Sequence, residues 1–129
     1  MSLDVSPQLL ERARQGEVED AAFVATVRDS LPYAYELIAG LVAELRAGDA
    51  GFTDNQVPPP GEGERGQLLR ALASDAIRGS LERHFAVRLA FQNCHRVAAF
   101  RPGQPEAAYQ DFISPRSQLL NQSPALRNC

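Results

Sequence analysis

The stretch that most restricts what this chain can fold into is residues 32–46, PYAYELIAGLVAELR. Ala34, Leu37, Ile38, Leu41, Val42 and Leu45 recur there at three- and four-residue spacing, while Glu36, Gly40 and Glu44 fall on the other side. Such a stripe is hidden from water only when the segment is an α-helix laid along a core. Gly48 is a natural stop, and the helix is expected to run through the middle of the domain.

The flanking segments obey the same rule on a smaller scale. Ser6-Pro7 ahead of Leu9, Leu10 and Ala13, with Gly16 behind, has the order of a cap, a first-turn proline and a terminating glycine. Residues 20–28 predict a second helix with Phe23, Val24, Val27 and Leu31 on one face, ended by Pro32, and Ser30 is placed to cap the helix after it. Helical spacing resumes near Arg65, where Leu69, Leu72, Ala73, Ala76 and Ile77 share a side. Glu62 and Glu64 suit the positive N-terminal end of that helix. Gly79-Ser80 either ends it or caps another containing Leu81.

Residues 47–64 (AGDAGFTDNQVPPPGEGE) combine glycines, acids and a triple proline, which favours an extended internal loop. Residues 85–100 read two ways. Phe85, Val87, Leu89 and Phe91 alternate with Ala86, Arg88 and Ala90 as in a strand, and Gln92-Asn93 is suited to begin a turn. The alanines and the absence of glycine favour continued helix, which is the expectation, with a short hairpin as the alternative. Beyond Arg101-Pro102-Gly103 a helix is expected around residues 106–112, then short turns at Ser114-Pro115 and Ser123-Pro124. Leu119, Leu120 and Leu126 suggest that this tail, residues 102–129, docks on the body, because unpacked helices this short are marginal in water.

With 129 residues, 44% hydrophobic and 22% charged, the sequence fits one globular domain. A domain of that size buries about two-thirds of its unfolded surface. The net charge of −3 conceals an asymmetry, since residues 1–62 hold eleven acids and four arginines whereas residues 63–129 hold five acids and nine arginines. Every basic residue of the Lys/Arg kind is arginine, as a GC-rich bacterial genome produces without selection for phosphate binding. No basic segment precedes an apolar one at the start and no long apolar run occurs, so a cytoplasmic protein off the membrane is expected. Cys94 and Cys129 are too few and too oddly placed for a secreted disulfide framework.

His84, Cys94 and His95 are the residues most suggestive of chemistry. On a continuous helix the two histidines lie on one face but about 16 Å apart along the axis, too far for one metal ion. Adjacent Cys94 and His95 diverge in either secondary structure, and the spaced ligand pairs of a zinc site are missing, so no metal and no cofactor is expected. Cys94 reads as a small buried hydrophobe, with a Cys94/Cys129 redox pair as the sharper alternative. Arg65, Arg70 and Arg78, beside the turn carrying Gly61, Gly63 and Gly66, are the candidate small-molecule or phosphate ligands. Acids in that turn and the irregular arginine spacing weaken both this reading and a nucleic-acid one. Tyr33 and Tyr35 read as core edges.

The sequence therefore predicts an all-α domain of five to seven short helices, with a hairpin as the alternative near residues 85–100. It predicts a non-catalytic interaction or assembly protein, self-associating or bound to a protein partner. An Arg-based ligand domain and a thiol sensor or enzyme at Cys94 are the alternatives.

Overall fold

The stripe at residues 32–46 forms the longest helix of the computed structural model, which describes residues 2–103 and 106–122. Seven helices and three strands succeed one another as α1 (Pro7–Arg14), α2 (Asp20–Ser30), α3 (Pro32–Ala47), β1 (Phe52–Asp54), α4 (Glu62–Ala73), α5 (Asp75–Phe85), β2 (Arg88–Gln92), β3 (Arg96–Phe100), α6 (Glu106–Phe112) and α7 (Pro115–Leu120). The domain is mainly α with a small antiparallel sheet in the order β1-β3-β2.

Val24, Val27, Leu31, Ile38, Leu45 and Leu81 are among the buried residues that join α2, α3 and α5. The predicted cap of α1 is present, since Ser6 accepts from the Leu9 amide at 3.1 Å, and Gly16 takes a positive φ just past its end. The cap proposed for α3 is not. Ser30 closes α2 and its hydroxyl accepts from the Asp4 amide at 2.8 Å. The first amides of α3 are satisfied from a distant helix instead, Gln67 Oε1 accepting from Tyr33 N at 2.7 Å and Ala34 N at 3.2 Å. A helix start next to a proline and without a capping side chain of its own can be completed by tertiary contact.

The segment after Arg65 departs from expectation in phase. Leu68, Ala71, Leu72 and Ile77 are buried, whereas Leu69, Ala73 and Ala76 are exposed. The reason is a break at Ser74, which leaves α4 and caps α5 by accepting from the Ile77 amide at 3.2 Å. Two helices at an angle, each with its own inward face, replace one long helix.

Of the two readings of residues 85–100, the structure takes the hairpin: Phe85 ends α5, and β2 and β3 follow in place of continued helix. Ala86 and Asn93 adopt φ of 54° and 51°, so the chain turns out of α5 and turns again between the strands without a glycine at either point. β2 and β3 pair with Leu89 opposite Ala99 and Phe91 opposite Val97. The absence of alternation in β3 has a physical cause. Val97 and Ala99 face the helical core while Ala98 and Phe100 join a second cluster with Phe112 on the other side. A strand buried on both faces reads as an apolar run, which periodicity alone does not distinguish from a buried helix.

β1 lies within the expected loop. Phe52, Thr53 and Asp54 pair with Phe100, Ala99 and Ala98. Asn55 prolongs the edge with its side chain, donating to the His95 carbonyl at 2.7 Å and accepting from the Val97 amide at 2.8 Å. Between residues 106 and 122 the expected leucines are not the residues that meet the sheet. Phe112 and Ser117 are buried, while Leu119 and Leu120 are 75% and 66% exposed. Gln92 at the end of β2 donates to the Phe112 carbonyl at 2.7 Å and to the Ser117 hydroxyl at 2.9 Å. Ser123-Pro124 and Leu126 lie outside the described residues.

Candidate interaction surface

The residues singled out for chemistry are dispersed. His84 is exposed near the end of α5, its Nε2 3.4 Å from the Tyr35 hydroxyl and its ring edge-on to Phe85. His95 lies in the hairpin turn on a different element. Burial lowers its imidazole pKa below the ordinary value, the Asn93 backbone opposes that fall and the Arg96 charge adds to it. Cys94, in the same turn, is half-buried and not the fully buried hydrophobe expected. It is disulfide-bonded and therefore not a free thiol. Cys129, the other redox candidate, lies outside the described residues. Among the described residues no three His, Cys, Asp or Glu are grouped to hold a metal.

The arginines are held mostly by the fold itself. Three of them satisfy carbonyls at helix C-termini, where the last turn leaves acceptors open and the dipole favours cations. Arg46 donates to the Phe85 carbonyl at the end of α5, Arg78 to the Leu72 carbonyl near the end of α4, and Arg101 to the carbonyls of Leu45, Gly48 and Ala50 around the end of α3. Others bind acids. Arg83 grips Asp20 with contacts of 2.7 and 3.0 Å, and that hydrogen bond holds the exposed Asp20 carboxyl below its ordinary pKa. Arg88 meets both oxygens of Glu106 at 2.7 Å and lies over the Tyr109 ring. Arg96 donates to Asp54 and sits over Phe112.

The acidic and basic halves of the sequence meet in ion pairs at Asp20–Arg83 and Asp54–Arg96. Of the candidate ligand residues, Arg65 is 3.9 Å from Glu62 and Arg78 2.7 Å from Asp75, while Arg70 is exposed. Gly61 precedes α4 in an extended conformation, and the first turn of that helix carries Glu62 and Glu64. Those carboxylates occupy the positive end that an anion would need.

A groove of about 330 Å³ remains along the solvent side of α3. Leu37, Gly40 and Leu41 line it together with Val57, and Glu36 and Glu44 edge it. A Cβ built on Gly40 would meet nothing within 4 Å, so the groove is open above that residue. Val57 is 74% exposed. Sequence reasoning assigned Glu36, Gly40 and Glu44 to the outer side of α3 but gave them no partner across a groove, because that wall comes from the segment after β1.

The fold and these surfaces define a mainly α domain with an embedded antiparallel sheet, whose described polar groups chiefly tie its own elements together. No helix among the described residues is long and apolar enough to cross a membrane. Over residues 1–129 the chain matches the family described as NucS shadow ORF, and it belongs to that family. No curated protein and no solved structure matches it significantly.

Proposed function

We propose that this chain acts by contact and not by catalysis, as an interaction or assembly protein. The observation that carries this reading is a contrast. His84 stands on α5, apart from Cys94 and His95 in the hairpin turn, and most of the arginines are tied to internal acceptors, whereas an apolar groove and the exposed leucines of α7 are open to a partner. The test is the mass of the purified chain in solution at tens of micromolar, with recovery of partners from its native host. A strictly monomeric chain that recovers no partner overturns the reading. A cytoplasmic location belongs to the same proposal. Fractionation of the host decides the point.

The family's description supports a second reading. A shadow frame, understood as one that overlaps another gene, has much of its sequence dictated by codons selected for the other product. Thirteen Lys/Arg residues that are all arginine fit such a constraint. The capped helices and the buried core favour a chain that folds when it is made. Changing the start codon while preserving the overlapping product separates the two readings. Absence of the peptide by mass spectrometry, with no change in growth or genome maintenance, supports the shadow frame alone.

A further inference from the structure

Two unsatisfied surfaces of this chain complement each other and lie on different layers of the fold. The groove along α3 belongs to the layer that packs on the Val97 and Ala99 face of the sheet, and its rim is acidic through Glu36 and Glu44. α7 belongs to the layer on the Phe100 and Phe112 face. It exposes Leu119 and Leu120, with exposed Arg116 three and four residues earlier on the same helical side. Ile113, 48% exposed, extends the apolar area towards α6. One surface is an apolar trough with negative edges and the other an apolar ridge with a positive charge beside it. The charge division of the sequence, acidic through residue 62 and basic after it, matches the same separation.

We propose that the α7 ridge of one copy docks in the α3 groove of a second copy, with Arg116 set against the acidic edge at one of its two carboxylates, Glu36 or Glu44. This rests on the assembly reading and names its surfaces and its occupant. Because the two surfaces differ, the contact is heterologous, and repetition gives a ring or a filament according to whether the rotation closes. Apolar burial supplies most of the affinity, and the exposed charges contribute orientation and a salt-dependent encounter rate.

Sedimentation velocity on the full chain tests this with two variants. Leu119→Asp/Leu120→Asp removes the ridge, and Glu36→Arg/Glu44→Arg reverses the groove edge. All four positions are exposed, and circular dichroism confirms that each variant folds. The wild type is expected to grow in mass with concentration, and each variant alone to associate about tenfold more weakly or worse. An equimolar mixture of the two is expected to stop at a 1:1 dimer, because one intact ridge meets one intact groove. Arg116→Glu, a single exposed change, is expected to weaken assembly and to reduce its salt dependence. Wild-type-like assembly of both double variants overturns the docking while leaving the assembly reading standing. A wild type that stays monomeric at every concentration overturns both.

Discussion

The two faces of the hairpin are buried in different ways. On one side, long aliphatic residues of α2, α3, α4 and α5 close over Leu89, Val97 and Ala99 in a continuous apolar cluster. On the other, the apolar contact among the described residues is the smaller cluster of Ala90, Ala98, Phe100 and Phe112, with Ala108 and Tyr109 packed against it, and polar side chains complete the attachment. Asn93 donates to the Asn121 carbonyl at 2.8 Å and accepts from Gln118, while Gln92 holds the Phe112 carbonyl and Ser117. The first face is held by area, the second by a few directional bonds around the rings of Phe100, Tyr109 and Phe112. Stability therefore divides unevenly, with α6 and α7 able to leave the sheet while the body keeps its core.

Truncation in the body is expected to have the largest effect. Leu81→Ala removes a side chain with 0% exposure from the α2–α5 contact, and a loss of about 2–5 kcal/mol in chemical denaturation is expected. A loss under about 1 kcal/mol would place the core elsewhere. Phe112→Ala is expected to cost about 3 kcal/mol, the low end for a buried phenylalanine in a small cluster, and to raise hydrogen exchange in α6 and α7 ahead of α2 and α3. Uniform exchange across both regions would erase the distinction between them. Gln92→Ala leaves the Phe112 carbonyl without its donor, with an expected cost of about 1–3 kcal/mol and the same local pattern of exchange.

The smallest expected effect is a pH dependence at the joint between the regions. His95 has its folded pKa lowered from 6.5, chiefly by burial, so the unfolded chain binds its proton more readily. Its contribution is complete above the ordinary value and declines as pH falls below it towards the lowered pKa. His95→Gln is expected to flatten the stability profile on the acid side of 6.5, read as melting temperature against pH. An unchanged slope would mean that other groups set it.

Legibility in the sequence depended on the kind of burial. α3 was readable because one stripe of it is apolar and the rest polar, and α1, α6 and α7 were readable because serine, proline and glycine mark their ends. The hairpin was readable only as an alternative to helix, because β2 shows some alternation but β3, buried on both faces, shows none to set against the helix-favouring alanines. β1 was hidden by its brevity and by the proline-rich company it keeps. The candidate surface was half readable. Glu36, Gly40 and Glu44 stood out as the outer side of α3, but the opposite wall depends on β1, and the exposure of Leu119 and Leu120 depends on Phe112 having taken the place at the sheet.

Arg101 also bears on how this chain can be made. It gathers the Leu45, Gly48 and Ala50 carbonyls, and its own amide donates to Gly51 at 3.0 Å. The acceptors lie about fifty residues upstream, so during synthesis from the N-terminus the last turn of α3 emerges well before the side chain that completes it. Until then those carbonyls rely on water, and β1 has no β3 to join. A nascent chain halted before residue 101 holds α3 without its finished end, and the sheet closes only after β3 has been made.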